Sequence, residues 1–237
     1  MGRFTRQITA SIKSNNNKND MTIIILSAGI GGRIKSNEPR SLIKIGTKTL
    51  IEHQIDTINN NVENQEIIGV FGYAIEKIIK KIAGKLRVVE NQIYDETNNS
   101  ESLRLAVNNT NRNNIMFFHG DLYFNDKVLS SLNYKKSFLL VDNKNMMKPK
   151  EIGVTINNNK ATMLSYGLPT KWCQVAFITG KELKILKNIL YKLQGSQKKL
   201  LSFEIINKMI SMGANFECHE PKGMSIIEID CIKDLKN

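Results

Sequence analysis

The stretch Thr22-Ile23-Ile24-Ile25-Leu26-Ser27-Ala28-Gly29-Ile30-Gly31-Gly32-Arg33 decides the fold. It opens on an apolar, β-branched run, passes into glycines and ends on an arginine. A short run of this kind marks a parallel strand buried on both faces. The glycines let the chain turn tightly and leave amides bare of side chains. Bare amides at the carboxyl end of a strand cradle phosphate oxygens, and Arg33 adds a fixed charge and a fork of donors. Ligands of open α/β sheets bind at the carboxyl ends of the strands. The stretch therefore reads as a phosphate-binding loop after strand one, with Ser27, Ala28, Gly29, Gly31 and Gly32 against a nucleotide.

Three loop patterns compete. The dinucleotide fingerprint fits Gly29 and Gly31 but puts Ile34 where its third glycine belongs. The P-loop pattern fails at Gly46-Thr47-Lys48-Thr49, where a threonine separates glycine from lysine. The third pattern has linked pieces: Ala28-Gly29-Ile30-Gly31-Gly32-Arg33, then Pro39-Arg40-Ser41-Leu42, then Gly46-Thr47-Lys48-Thr49-Leu50-Ile51 entering a helix over 49–59. Together they resemble the signature of the nucleotidyltransferases that make sugar nucleotides, and of their relatives. The resemblance implies catalytic roles for Arg33 and Arg40 on the triphosphate. One departure is plain, because the family usually has lysine where Arg40 stands. A solvated arginine after a proline turn is the alternative.

The 237 residues, 41% of them hydrophobic, suffice for one large α/β domain with a real core. No apolar run approaches the 18 or so residues of a membrane-spanning helix. The net charge of +12 favours anionic partners. The cations are scattered and no RNA- or DNA-binding motif accompanies them, so a nucleotide is expected rather than nucleic acid. Cys173, Cys218 and Cys231 lack metal-site spacing and imply no disulfide framework. A reducing cytoplasmic location is expected. Residues 1–20 are basic and Asn-rich and read as a disordered tail before a domain over 21–237; an organellar transit peptide is the alternative.

Further strands are expected over 66–71, 85–90, 114–119, 137–141, 171–178 and 215–219, and helices over 74–83, 100–109, 126–132, 181–193 and 201–212. A hairpin is expected over 151–166, turning at Asn157-Asn158-Asn159. Alternating strands and helices imply a parallel sheet with right-handed crossovers.

Two later segments carry chemistry. Asn91-Gln92-Ile93-Tyr94-Asp95-Glu96-Thr97-Asn98-Asn99-Ser100-Glu101-Ser102-Leu103 leads into a helix. Its Thr and Asn side chains serve either as helix caps or as readers of a base edge. It resembles the N-x-x-Y-x-x-T-N-N-x-x-S-L segment of phosphocholine cytidylyltransferases and related phosphonate cytidylyltransferases, which implies Thr97 and Asn98 beside the base. Phe118-His119-Gly120-Asp121 ends an apolar strand on a carboxylate, suited either to Mg²⁺ beside a triphosphate or to opening a turn. His119 is expected to pack on the opposite face. Glu228-Ile229-Asp230 near the end resembles the family's E-I-D, whose aspartate is the second metal ligand; a helix cap is the plain alternative.

The resemblance covers about residues 21–235. It implies an α/β nucleotide-diphospho-sugar transferase (GT-A-like) fold with a mixed, mostly parallel sheet flanked by helices. It implies nucleotidyl transfer with Mg²⁺ held by Asp121 and Asp230, CTP as donor, and phosphocholine or 2-aminoethylphosphonate as acceptor. Lys171 and Trp172 are the candidate acceptor contacts, since an aromatic face holds a quaternary ammonium; core packing is the alternative for Trp172. A sugar-1-phosphate nucleotidyltransferase is the other enzyme reading. A nucleotide- or RNA-binding protein that kept the fold and lost catalysis is the non-enzyme reading. An oligomer is compatible with the sequence.

Overall fold

A computed structural model of the chain describes residues 20–30, 38–144 and 147–229. The tail over 1–19, Gly31, Gly32, Arg33, Cys231 and Asp230 lie outside the described residues. Strand β1 (Met21–Ser27) is buried along nearly its whole length. Two short strands, β2 (Lys44–Ile45) and β3 (Lys48–Thr49), pair antiparallel around Gly46, whose φ of 63° suits a residue without a Cβ. Helix α1 (Leu50–Asn61) follows, then β4 (Gln65–Phe71), α2 (Ile75–Ile82) and β5 (Arg87–Glu90). These are two successive strand–helix–strand crossovers, and β5, β4 and β1 pair in parallel.

Helix α3 (Asn99–Asn108) returns the chain to β6 (Asn114–His119), parallel to β1 on its other side. The chain then turns into β7 (Leu122–Phe124) and α4 (Lys127–Ser130). Strand β8 (Phe138–Asp142), the hairpin β9 (Ile152–Asn157) and β10 (Lys160–Tyr166), and β11 (Thr170–Thr179) come next. Helices α5 (Gly180–Tyr191) and α6 (Ser202–Ser211), then β12 (Glu217–His219) and β13 (Ile226–Glu228), complete the order. The main sheet has nine strands in the order β5-β4-β1-β6-β11-β8-β12-β10-β9. Up to β6 its pairing is parallel, as expected. Beyond β6, β11 runs antiparallel to β6 and β8, and β10 is antiparallel to β9 and β12; only β12 and β8 pair in parallel there.

The unbroken isoleucine run of β1 is explained by its two covered faces. Ile23 and Ile25 pack with Ile51, Ile55 and Ile58 of α1 and with Ile78 and Ile82 of α2. Ile24 and Leu26 pack on the other side with Leu103 and Val107 of α3 and with α5 and α6. Period-two alternation thus feeds two cores from one strand. The expected helix over 126–132 shortens to α4, and no helix among the described residues is long and apolar enough to cross a membrane.

Two local devices fix the site's edge. Gly120 lies so close to β1 that an added Cβ would sit 2.4 Å from Ser27 Cβ and 2.6 Å from its Oγ. Its amide donates to the Leu26 carbonyl at 2.8 Å. At the start of α1, the Glu52 carboxylate accepts from the Thr49 amide at 2.9 Å and the Thr49 hydroxyl at 2.8 Å. Lys81 and Lys85 add ion pairs at 3.2 and 3.3 Å. Burial pushes the Glu52 pKa up, but the two Thr49 bonds and the lysines outweigh it and hold the pKa at about 2.

Gly120→Ala is expected to cost about 1–3 kcal/mol through overpacking, read as a lower denaturant midpoint. For Glu52, the unfolded carboxyl binds a proton at a pH where the folded one does not. Its stabilisation is complete above about 4.5 and is lost as pH falls toward about 2. The stability gap between wild type and Glu52→Gln, measured by denaturation at successive pH values, is expected to close across that window.

Candidate active site

A cleft of about 170 Å³ opens at the carboxyl ends of β1 and β6. Leu26, Ser27, Ala28 and Gly29 line one wall. Arg40, Asn99, His119 and Asp121 line the rest. A larger recess of about 620 Å³ lies at the opposite, amino end of the strands. Its charges are spent on one another, Arg87 with Glu66 and Arg112 with Asp20. The smaller cleft is the one with the strand-end geometry of a ligand site.

The loop after β1 leaves Gly29 and Ile30 exposed, and nothing lies within 4 Å of where a Gly29 Cβ would be. The Ala28 carbonyl is tied to the Tyr73 amide at 3.0 Å, anchoring the loop to the end of β4. Pro39 starts a short 3-10 turn, Arg40–Leu42, that carries Arg40 toward the cleft. Arg40 Nη1 donates to Asp121 Oδ2 at 2.7 Å, with side chains 18% and 16% exposed. Asp121 Oδ1 is buried and accepts no hydrogen bond. Such an oxygen is costly when left without a partner and is the kind of hard donor that Mg²⁺ takes.

Among the described residues no three His, Cys, Asp or Glu side chains come together as a metal site. The second expected ligand, Asp230, lies outside them. The chain nevertheless reaches Asp121 just before that residue. Strand β13 pairs Glu228 with Leu122, and the Ile229 amide donates to the Asp121 carbonyl at 2.8 Å.

His119 corrects an expectation. It lines the cleft with Asp121, because β6 ends at His119 and strand alternation no longer sets where Asp121 lies after the Gly120 turn. Its Nε2 lies 2.8 Å from Ser202 Oγ and 3.1 Å from Asn99 Nδ2. Burial lowers its pKa, against the Asp121 charge and a bond to Gln174 that favour protonation. The Asn99 Nδ2 group can only donate, which makes Nε2 the acceptor and leaves Nδ1 for the ring proton, while the Ser202 hydroxyl can turn to suit. Gln174 sits at an irregularity in the β11–β8 pairing with φ of 58°. Bulges re-aim side chains beside active sites, and here Gln174 Nε2 donates to Glu228 Oε2 at 2.8 Å.

The acceptor candidates do not behave as expected. Trp172 is 1% exposed, its Nε1 donates to the Val175 carbonyl at 3.1 Å, and its ring meets His119 edge-on. No face is left for an ammonium group, so packing is its role. Lys171 Nζ is bound to Glu151 at 2.5 Å.

The base-edge candidates also have local duties. The Thr97 hydroxyl donates to the Ile93 carbonyl at 2.7 Å and accepts from Asn91. Asn98 is the N-cap of α3, its side chain accepting from the Asn99 amide at 2.8 Å. Of the Thr-Asn-Asn triplet it is Asn99, one residue further, that reaches the cleft. The helix start visible in the sequence was the available signal for Asn99, whereas nothing local to the sequence placed His119 in the cleft.

Residues 23–134 match the MobA-like NTP transferase domain family. A bifunctional protein GlmU from Methanococcus vannielii is 32% identical over 139 residues, 56% of this chain and 32% of that protein. The choline-phosphate cytidylyltransferase of Streptococcus pneumoniae is 38% identical over 91 residues, 36% of this chain and 39% of that protein. The chain thus spans about a third of the length of the curated relatives it matches. Among solved structures, CTP:phosphocholine cytidylyltransferase (LicC) from S. pneumoniae superposes with a TM-score of 0.75 at 23% identity, covering 92% of this chain and 96% of that one. The inositol-1-phosphate CTP transferase of T. maritima gives 0.71 at 19% identity, covering 90% of each chain. Residues 23–134 thus match the MobA-like NTP transferase domain model, and the chain as a whole shares the fold of these solved nucleotidyltransferase structures.

Proposed function

We propose that this chain moves CMP from CTP onto a small phosphate or phosphonate acceptor such as phosphocholine or 2-aminoethylphosphonate, releasing pyrophosphate. The observation that carries the reading is Asp121. It is a mostly buried carboxylate, with one oxygen on Arg40 and the other without a donor, at the mouth of a glycine loop. The cytidylyl donor is supported by the local likeness to a choline-phosphate cytidylyltransferase and by the Thr97-Asn98-Asn99 segment.

In this reading an acceptor oxygen bonds to the α-phosphorus, the bond to the bridging oxygen breaks, and pyrophosphate leaves with the electron pair. The acceptor is already an anion near neutral pH, so the protein's work is positioning and charge neutralisation. The bare amides at Gly29, Gly31 and Gly32 hold phosphate oxygens, and Arg33 and Arg40 neutralise them. Asn99 faces the nucleotide, while Thr97 and Asn98 hold the loop that presents it. Asp121 and Asp230 would hold Mg²⁺, which supplies positive charge to the phosphates. His119 stays neutral and braces Asn99.

A second reading is a sugar-1-phosphate acceptor, supported by the likeness of segments 28–33, 39–42 and 46–51 to the signature of the sugar-nucleotide enzymes. Pyrophosphate release with Mg²⁺ is the test, run with each of the common nucleoside triphosphates against phosphocholine, 2-aminoethylphosphonate and glucose 1-phosphate. CTP with one of the first two acceptors is expected to give turnover. Asp121→Ala is expected to lower it by at least about a hundredfold, the scale of losing an electrostatic group at the reacting phosphates. Turnover with the sugar phosphate alone would establish the second reading. Nucleotide binding with no release from any pair would sink both.

A further inference from the structure

We propose that Arg40 is a displaceable counterion: it holds Asp121 in the free protein and passes to the triphosphate when a divalent cation takes the carboxylate. This rests on the nucleotidyltransferase reading above and adds how its site is loaded. Arg40 Nη1 is 2.7 Å from Asp121 Oδ2, so it stands on the carboxylate that a cation needs. The other carboxylate oxygen, Oδ1, is buried without a donor, so Arg40 does not satisfy the group. The pair is partly open, 18% and 16% exposed. Because the pair lines the cleft, water and ligands can reach it as it parts, which lowers the cost of separation below that of a fully enclosed pair. A triphosphate gives a guanidinium a better partner, because paired phosphate oxygens match its fork.

The exchange keeps charge balanced. Without ligands, Arg40 neutralises Asp121. With ligands, the cation neutralises Asp121 while Arg40 neutralises phosphate oxygens. A carboxylate with a resident counterion binds a lone cation weakly, so cation and nucleotide load together. By linkage, each must then raise the affinity for the other. The guanidinium suits this better than an ammonium, since its donors point in several directions from one plane and reach two anions with a small rotation.

The test is direct Mn²⁺ binding to the full chain without nucleotide, followed by electron paramagnetic resonance of the free ion. Wild type, Arg40→Gln, Arg40→Met and Asp121→Asn are compared, with circular dichroism to select folded variants. Two arginine replacements keep the comparison available if one does not fold. At least one folded arginine variant is expected to bind Mn²⁺ about fivefold tighter than wild type, the scale of losing one competing ion pair. The gain is expected to persist at about 0.5 M KCl, where an effect of charge at a distance is screened. Equal or weaker binding by the arginine variants, or a gain that vanishes in salt, would overturn the exchange. Asp121→Asn separates this from the parent reading. If it leaves Mn²⁺ binding with CTP unchanged, the metal role of Asp121 fails, and the exchange with it.

Discussion

There is no room for a side chain at residue 120, and the site follows from that. Strand β6 runs against β1 until Gly120 meets Ser27, where an added carbon would sit at 2.4 Å. The chain must turn there, and the turn sets Asp121 beside the first residues of the glycine loop. The same turn frees β7 to pair with β13, so that Ile229 bonds to the Asp121 carbonyl. A backbone contact made possible by a missing methyl group thus helps bring three remote parts of the sequence, near residues 28, 121 and 229, to the carboxyl ends of the central strands β1 and β6. Interiors packed at crystal density transmit such a constraint rather than absorb it.

The parallel half of the sheet and the loop after β1 were legible because their signals are local. Isoleucines on both faces of β1, the glycines that follow it and the Gly120-Asp121 pair that ends β6 each state their structure within a few residues. The resemblance added the order in which such pieces follow one another. What stayed illegible was set by distant partners. Trp172 was a candidate because an aromatic face holds an ammonium, yet its ring is buried in the core with Val154, Leu164 and Ala176 and meets His119 edge-on. Thr97 and Asn98 were in the right segment, but an N-cap spends its side chain on the helix, and the next residue inherits the view of the cleft. The left-handed backbone at Gln174 had no sequence signal, since glutamine is not a residue that favours it.

A polar path crosses the middle of the fold where the parallel and antiparallel halves meet. Asn99 at the start of α3 and Ser202 at the start of α6 meet His119, His119 meets Gln174, and Gln174 meets Glu228 beside β7. Each member comes from a different element. Polar groups in a low-dielectric interior rigidify a site when their bonds are made and destabilise it when they are not. The strained φ at Gln174 is retained in that setting, because its amide joins the half carrying the glycine loop to the half carrying the return of the chain.

That arrangement bears on what kind of chemistry the cleft supports. A histidine two residues from an aspartate invites a general-base role, but this one is badly placed for it. Its Nε2 lone pair faces Asn99 and Ser202, and burial opposes its taking a proton. A group committed in this way orients its neighbours instead of moving protons. Reactions that need a base to make their nucleophile would find none in His119. Transfer to an acceptor that arrives as a preformed anion needs only charge and geometry. In the proposed reading Arg40 and the bare amide at Gly29 are the groups that would meet such an anion, gathered with Asp121 at one cleft by the Gly120 contact to β1 and the bond from Arg40 to Asp121.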